Sequence, residues 1–484
     1  MLIDGRPVAS ERTVAVVNPA TLEVIATVPD CGEAELDDAV SAARRAFPGW
    51  SATPIEDRRR ALVAIGDAIL AEVDPLTRLL TSEQGKPLVE ARDEVVSSAE
   101  WLKGVATLEM PLVVSEDTAE RRSETRRLPV GVVAAIVPWN YPLILAMFKV
   151  GPSLLAGNTI VLKPSPFTPL STLRFAELAA PLLPPGVLNV VTGGDALGPW
   201  ITTHPRVDKV SFTGSTVTGR RVMQSASATL KRLTLELGGN DAAIVLPDVD
   251  VDGVAEQLFW AGFRNSGQMC IGTKRIYIHA DIYDRLKQAI VTYARSVTVG
   301  NGADDGVQLG PINNKAQYER VLSYVQDSRD KGHEFLLGGA ERPAGPGYFV
   351  PVTILDNPPE DSRIVQEEQF GPILPLLRFD DIDEVIRLVN ATEFGLAGSV
   401  WGADEEQALA VARRIASGTV WVNETQYLSP LAAFGGVKQS GLGVEGGIEG
   451  LMECTVAQTL VQRRTGAAAE TGSAQARPTG AIGA

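Results

Sequence analysis

The chain has 484 residues, more than one ordinary hydrophobic core accommodates, so two or three domains are expected. Hydrophobic residues make up 45% and charged residues 21%, values typical of a soluble globular protein. The formal net charge of −15 disfavours nucleic acid and anionic membranes as partners.

Targeting and metal-site signals are missing from the sequence. The N-terminus, MLIDGRPVAS, does not resemble a secretory signal, and no apolar run reaches the ~18 residues that span a bilayer. The three cysteines, Cys31, Cys270 and Cys454, have neither disulfide nor metal-ligand spacing. We therefore expect a cytoplasmic protein without a metal site.

Two β-hairpins open the chain, with predicted turns at Asp4-Gly5 and Asn18-Pro19. Two helical segments follow, over residues 36–47 and 56–85, because apolar residues recur there at three- and four-residue spacing.

From about residue 130, apolar strands alternate with helical segments. The strands GVVAAIVP, TIVLKPS, GVLNVVTGG and VDKVSFTGS are rich in Val and Ile, as expected when both faces of a parallel sheet are covered. This order predicts a doubly wound α/β domain that binds ligand at the carboxyl ends of its strands. A second α/β series begins after LTLELGGNDAAIVL, and the last twenty residues are too small and polar to pack, so we expect disorder there.

One glycine motif has dinucleotide-binding spacing, at Gly441, Gly443 and Gly446. No apolar strand precedes it and no acidic residue follows about 20 positions later in ordered sequence, so we interpret it as a glycine-rich loop.

A second motif, GSTVTGRR from Gly214, has the glycine spacing of a P-loop. Arg220 and Arg221 replace the required Lys and Ser/Thr, which disfavours a nucleoside triphosphatase. Gly214 and Ser215 still open a helix N-terminus, which suits a pyrophosphate.

Cys270 ends the stretch FRNSGQMC, and its local sequence does not distinguish a nucleophile from a buried apolar residue. Six motifs taken together do: PWNYP (138–142), LKPS (162–165), FTGS (212–215), LELGG (235–239), GQMC (267–270) and EEQFGP (367–372). In this order they resemble the signatures of the aldehyde dehydrogenase superfamily, and the resemblance covers residues 1 to about 463.

The resemblance implies an α/β fold of the aldehyde dehydrogenase type. Its parts would be a Rossmann-like cofactor domain over 1–112 and 130–238, an α/β catalytic domain over 239–450, a β oligomerisation arm over 113–129 and 451–463, and a disordered tail over 464–484. The arm implies a homodimer or homotetramer.

The implied reaction is the NAD(P)-dependent oxidation of an aldehyde to a carboxylic acid. Cys270 would attack the carbonyl carbon, and Asn140 would donate to the resulting oxyanion together with the Cys270 backbone N–H. Glu236 would activate the water that hydrolyses the thioester, which disfavours the coenzyme A-dependent branch of the family. Lys149 belongs to the same implied catalytic set. A catalytically idle relative is disfavoured, since Cys270, Glu236 and Asn140 are all present.

The resemblance assigns nine residues to the cofactor: Ile136, Trp139, Lys163, Ser165, Gly214, Ser215, Leu237, Glu368 and Phe370. NAD-preferring members often carry Glu three residues after the lysine, where this chain has Pro166. NAD is the predicted cofactor, and NADP stays open because a carboxylate that would repel its 2′-phosphate is missing.

The same resemblance places the substrate tunnel at Tyr141, Ile144, Leu145, Phe148, Arg264, Met269, Ile271 and Phe434. These side chains are mostly apolar, which favours medium-chain or aromatic aldehydes. Arg264 is the exception, because succinate-semialdehyde dehydrogenases carry an arginine there that binds the substrate carboxylate. Phe148 stands where those enzymes have their second arginine, so ω-carboxylated semialdehydes are the alternative substrates.

Overall fold

The computed structural model describes residues 1–339 and 345–464. Of the predicted tail over 464–484, only Arg464 is among them; the rest lies outside the described residues. In the described ranges the strands are β1 Leu2–Ile3, β2 Arg6–Pro7, β3 Thr13–Val17, β4 Val24–Pro29, β5 Val113–Asp117, β6 Arg121–Pro129, β7 Val132–Ile136, β8 Thr159–Lys163, β9 Leu188–Val190, β10 Lys209–Thr213, β11 Arg232–Glu236, β12 Asp241–Val245, β13 Thr273–His279, β14 Glu334–Leu337, β15 Thr353–Asp356, β16 Ile373–Phe379, β17 Ala397–Trp401, β18 Thr419–Val422, β19 Gly441–Leu442 and β20 Thr455–Arg463.

The α-helices connect the strands and cover the faces of the sheets. Those within the described ranges are α1 Glu33–Ala52, α2 Ile55–Ala71, α3 Val73–Gln84, α4 Leu88–Val105, α5 Pro142–Ala156, α6 Leu170–Ala179, α7 Leu197–Thr203, α8 Thr216–Ala226, α9 Val251–Phe263, α10 Tyr283–Ala294, α11 Lys315–Asp330, α12 Arg363–Gln366, α13 Ile382–Asn390, α14 Glu405–Ala412 and α15 Gly447–Glu453.

Two mixed sheets form the body of the molecule, and the α/β prediction is confirmed. The first sheet has the order β19-β11-β10-β7-β8-β9-β1-β2, with β7 to β11 parallel. The second has the order β14-β15-β16-β13-β12-β17-β18, parallel except for β14. Their central strands are buried along their whole length, as the Val- and Ile-rich runs predict.

The first sheet reverses its winding at β7, which pairs with β8 on one side and β10 on the other. In doubly wound sheets, ligands bind beyond the carboxyl ends of the strands at this point. The segment 137–140 leaves β7 there, beside the ends of β8, β10 and β11. In the second sheet, Cys270 lies three residues before β13 and Glu368 five residues before β16, at the amino edge.

A third sheet, of order β20-β6-β5, is antiparallel and contains the segments predicted as an arm. The two predicted N-terminal hairpins are also present, as β1–β2 and β3–β4.

The helical prediction over 56–85 is wrong in one respect, because the chain forms α2 and α3 and leaves helical geometry at Glu72. Pro75 has no N–H for the carbonyl of residue 71, so a new helix begins around it. Helix α4 was not anticipated from the sequence. Among the described residues, no helix is long and apolar enough to cross a membrane.

Candidate active site

Cys270 follows α9 through a tight turn that only a few residues could form. Asn265, Ser266 and Gly267 all have positive φ. A Cβ on Gly267 would lie 2.2 Å from the carbonyl oxygen of Gly371, so a glycine is required at that position. The turn brings the half-buried Cys270 side chain up to the carboxyl edge of the first sheet.

The surroundings of Cys270 disfavour its thiolate in the unliganded protein. Burial raises the pKa of the Cys270 thiol to about 12, with further increases from the nearby carboxylates of Glu368, Asp241 and Glu236, while Lys274 acts in the opposite direction. Three neighbouring carboxylates and burial thus favour the neutral thiol over the nucleophilic thiolate.

Asn140 lies in the turn between β7 and α5, with its side chain buried. Its amide Nδ2 donates to the carbonyl oxygen of Gln268, 3.0 Å away and two residues before the nucleophile. An amide nitrogen carries two hydrogens, so one remains for a ligand oxygen. Asn140 can therefore act as a donor beside Cys270.

Glu236, the last residue of β11, is a buried carboxyl whose two oxygens have no hydrogen-bond partner among the described residues. Burial raises the pKa of Glu236 well above its usual value, the Glu445 carboxylate adds to the shift, and Lys149 opposes it. A raised pKa makes the Glu236 carboxylate a stronger base when it is deprotonated.

Lys149 forms a buried ion pair with Glu445, with 2.6 Å between Nζ and Oε1. The Ser211 hydroxyl donates to the same Glu445 oxygen at 3.2 Å. This cluster places one ammonium and one carboxylate behind Glu236. Sequence analysis included Lys149 but missed Glu445, which lies in the glycine-rich loop that carries no catalytic signature.

A cavity of about 390 Å³ opens on one side of Cys270. All eight predicted substrate residues line it: Tyr141, Ile144, Leu145, Phe148, Arg264, Met269, Ile271 and Phe434. A large part of the wall was missed, namely one face of α4 with Glu90, Asp93, Glu94, Ser97, Glu100 and Trp101. These residues are spaced three, four and seven positions apart, as on one face of a helix, so α4 could have been predicted from the sequence. Its contact with the substrate cavity could not.

The α4 wall combines an aromatic side chain with several carboxylates. The ring of Trp101 stacks on that of Phe148, with 3.7 Å between centroids and 16° between planes. Glu90 accepts from the backbone N–H of Asn265 with both oxygens, at 3.1 and 3.0 Å. In the described lining of this cavity, four side chains are acidic and only Arg264 is basic.

A second cavity, of about 150 Å³, opens on the other side of Cys270. Six of the nine predicted cofactor residues line it: Trp139, Gly214, Ser215, Leu237, Glu368 and Phe370. Ile136, Lys163 and Ser165 do not line it; they lie buried at the ends of β7 and β8.

The lining of this second cavity fits a dinucleotide. Ser215 is the N-cap of α8, so the helix N-terminus points toward the cavity. The rings of Trp139 and Phe370 meet edge-to-face with centroids 5.4 Å apart, and Glu368 accepts from the Gly239 backbone N–H at 3.1 Å. Cys270 and Asn140 line both cavities, so the nucleophile sits where two ligands would meet.

Lys163 lies at the carboxyl end of β8, with its Nζ 3.3 Å from the Pro164 carbonyl oxygen. Burial lowers the pKa of Lys163 to about 8, while Asp195, Cys31 and Asp30 act against the decrease. Two carboxylates thus lie within electrostatic reach of this lysine, which sequence analysis did not anticipate. No group of three or more His, Cys, Asp or Glu side chains in the described ranges could hold a metal ion.

Comparison with known proteins finds the same family by sequence and by structure. The model of the aldehyde dehydrogenase family matches residues 7–460. A probable aldehyde dehydrogenase from Pseudomonas sp is 42% identical, over 95% of this chain and 94% of its own. Phenylacetaldehyde dehydrogenase from Pseudomonas fluorescens is 40% identical over 95% of each chain. The solved structure of an aldehyde dehydrogenase point mutant from Bacillus cereus superposes with a TM-score of 0.94, at 36% identity over 96% of each chain.

Alkylation of Cys270 in the unliganded protein should be slow at pH 7 and rise about tenfold per pH unit through pH 9, because the thiolate is the reactive form and the pKa lies near 12. Iodoacetamide labelling followed by peptide mass spectrometry measures this, with Cys270→Ala as the control. A plateau in the labelling rate below pH 9 would contradict the buried, neutral thiol.

Proposed function

Because the chain belongs to the aldehyde dehydrogenase family, a family of NAD(P)-dependent oxidoreductases, we propose that it oxidises an aldehyde to a carboxylic acid through a covalent intermediate on Cys270. One observation carries this proposal: Cys270 and Asn140 line both the cavity that fits an aldehyde and the cavity that fits a dinucleotide. The unpartnered Glu236 carboxyl close to them supports a hydrolytic second half of the reaction.

In the first half, the Cys270 sulfur attacks the carbonyl carbon and forms a thiohemiacetal. The thiol proton passes to a carboxylate of the site, and Glu236 and Glu368, whose pKa values are both raised, are suited to hold it. The free N–H of Asn140 Nδ2 and the Cys270 backbone N–H donate to the oxyanion. One such donor contributes about 3 kcal/mol to transition-state stabilisation.

When bound, the nicotinamide cofactor supplies the hydride acceptor that turns the thiohemiacetal into a thioester. Trp139, Phe370 and Glu368 would hold its reactive end and Ser215 its pyrophosphate. In the second half, Glu236, after releasing any proton it took from the thiol, accepts a proton from the attacking water. The water oxygen bonds to the thioester carbon and the C–S bond breaks, which frees the carboxylic acid and regenerates Cys270. The charges of the neighbouring Lys149 and Glu445, which act on Glu236 in opposite directions, help to set how strongly it holds that proton. A base at Glu236 favours water over coenzyme A as the acyl acceptor.

The proposed substrates are medium-chain or aromatic aldehydes. The cavity wall formed by Ile144, Leu145, Phe148, Trp101 and Phe434 is apolar and partly aromatic. A relative named for phenylacetaldehyde, 40% identical over 95% of the chain, supports the aromatic part of the proposal.

Arg264 supports the alternative, an ω-carboxylated semialdehyde. Its exposed side chain lines the cavity and has no ion-pair partner within 4.0 Å among the described residues. Against this, Glu90, Asp93 and Glu100 lie in the same wall and would repel a carboxylate. We therefore favour the uncharged aldehydes.

NAD is the proposed cofactor. Pro166 supplies no carboxylate to a ribose, but Asp195 and Asp30 lie near Lys163 and place negative charge in that region. A 2′-phosphate bound there would be repelled, so these residues can replace the missing glutamate.

The β20-β6-β5 sheet is proposed as an arm that holds a homodimer or homotetramer. Val113, Val114, Leu460 and Val461 are exposed on it, and apolar strands at an open edge favour a covering partner. The three cysteines are free thiols, which suits the proposed cytoplasmic location.

Glu236→Gln should lower steady-state aldehyde oxidation about 100-fold or more, because water loses its general base, and an acyl adduct should accumulate on Cys270. The measurements are absorbance of the reduced nicotinamide and intact-protein mass after mixing with hexanal or phenylacetaldehyde. Glu319→Gln, an exposed glutamate on α11, should match the wild type, and Cys270→Ala should be inactive. Unchanged turnover in Glu236→Gln would exclude the hydrolytic role of this residue.

Arg264→Leu should change kcat/KM for hexanal and phenylacetaldehyde by less than about threefold, because these substrates carry no charge for Arg264 to bind. The change for succinate semialdehyde should be equally small, because Glu90, Asp93 and Glu100 in the same wall repel its carboxylate. Arg285→Leu, on the exposed face of α10, is the matched control. A loss of more than tenfold confined to succinate semialdehyde would instead establish the semialdehyde alternative.

NAD should give a higher kcat/KM than NADP. Asp195→Asn should lower the ratio of the two kcat/KM values by about threefold or more, because one charge that repels the 2′-phosphate is removed. Initial rates with both cofactors at saturating aldehyde test this. A wild-type preference for NADP would reverse the cofactor assignment.

A further inference from the structure

We propose that a buried ion pair between Lys86 and Glu94 positions the oxyanion donor Asn140 for the reaction proposed above, on which this inference rests. Lys86 follows α3 and Glu94 lies on α4, and neither residue belongs to the six recognised motifs. Both would act on the chemistry through Asn140, as positioning residues.

Lys86 holds the backbone of the turn that carries Asn140. Its Nζ donates to the Asn140 carbonyl oxygen at 2.9 Å and to Glu94 Oε2 at 2.6 Å. The same ammonium lies 3.5 Å from the ring centroid of Tyr141, the next residue. Lys86 thus contacts two consecutive residues of the turn and restrains the peptide between them.

Glu94 holds the other side of the same turn. Its second oxygen, Oε1, accepts from the backbone N–H groups of Leu143 at 2.9 Å and Ile144 at 3.3 Å, in the first turn of α5. These N–H groups have no partner inside the helix, and a carboxylate at a helix N-terminus is stabilised by the helix dipole. The pair therefore clamps the chain immediately before and after the step from Asn140 to α5.

The amide of Asn140 is sensitive to this clamp because its direction is set by few contacts. The side-chain Nδ2 of Asn140 donates to the Gln268 carbonyl oxygen. The backbone carbonyl oxygen of Asn140 accepts from Lys86 Nζ and, at 3.0 Å, from Asn265 Nδ2. Removal of Lys86 leaves that carbonyl with one donor and Glu94 with an uncompensated charge. The turn can then rotate, and the N–H intended for the oxyanion moves away from Cys270.

Stability alone does not account for the pair. Both side chains have 0% exposure, and burying two charges costs desolvation energy that their attraction often only just offsets. A protein in which apolar residues of similar size replace such a pair is frequently as stable as the original. The charged groups contact specific backbone atoms on both sides of Asn140, and we assign them the function of holding this turn in place.

The test is a double-mutant cycle. Lys86→Met should lower kcat about 10- to 50-fold with the KM for NAD changed less than twofold, because the interaction lost is with the oxyanion. In an Asn140→Ala background the same change should cost less than about threefold, since the donor it positions is already gone. Lys86→Arg should recover part of the kcat.

Two further variants keep the test interpretable. Lys103→Met, at a half-buried lysine on α4, the helix that carries Glu94, should leave kcat within twofold of wild type. The combined change Lys86→Met with Glu94→Leu removes the pair without leaving a lone charge, so it should fold even if Lys86→Met does not. It also removes the Glu94 contacts to α5, so kcat should fall at least as far as in Lys86→Met, with the same dependence on Asn140.

The outcomes separate this inference from the proposed function. The positioning role would be overturned if Lys86→Met lowered kcat by the same factor in the Asn140→Ala background as in the wild type, or if the Lys86 variants kept the wild-type kcat. Either result would leave aldehyde oxidation intact. Absence of aldehyde oxidation in the wild type, or full activity in Asn140→Ala, would overturn the proposed oxyanion chemistry and this inference with it.

Discussion

Desolvation of the groups between the two sheets is the constraint on which the site depends. The carboxyl edge of the first sheet meets the amino edge of the second, and the side chains at this junction are largely removed from water. Burial is the largest cause of the raised pKa values of Cys270, Glu236, Glu368 and Asp241, and of the lowered pKa of Lys274. Each group is pushed toward its neutral form, so a proton arriving or leaving at one of them changes the charge felt by the others.

This arrangement has a chemical advantage. The Cys270 thiol, neutral in the unliganded protein, is protected from oxidation and alkylation, which attack the thiolate. The raised pKa of Glu236 makes its carboxylate a stronger base toward water. Hydrogen bonds between side chains and backbone at Gln268 and Asn265 hold the turn before Cys270 in place among these buried groups.

The sequence contained enough information to predict the family, the α/β architecture and the side chains around Cys270. Motifs such as PWNYP and LELGG are short because their residues sit on strand ends and tight turns, where a few positions determine the local backbone. Predicting α4 required a different signal. Its acidic face follows a helical period, but periodicity does not say which cavity a helix borders, and the assignment of Glu90, Asp93 and Trp101 to the substrate wall needed the tertiary structure.

The same reason explains why Glu445 and the Lys86–Glu94 pair were missed. Glu445 is 296 residues from Lys149, and Lys86 is 54 residues from Asn140, so neither contact leaves a local pattern. The break between α2 and α3 is the opposite case. Pro75 is visible in the sequence and has a local physical effect, so it could have been predicted.

The two functions of the site, chemistry and substrate selection, are carried by different kinds of structure. The reacting groups lie on strand ends and turns fixed by backbone hydrogen bonds, whereas much of the substrate wall is one face of a helix. Residues such as Asp93 and Ser97 line the cavity without holding the turn that bears Asn140, so changes there can alter the substrate without disturbing the nucleophile. Glu94 is the exception, since it borders the substrate cavity and also binds the first turn of α5. At that position a change of substrate preference and a change of rate are coupled by geometry.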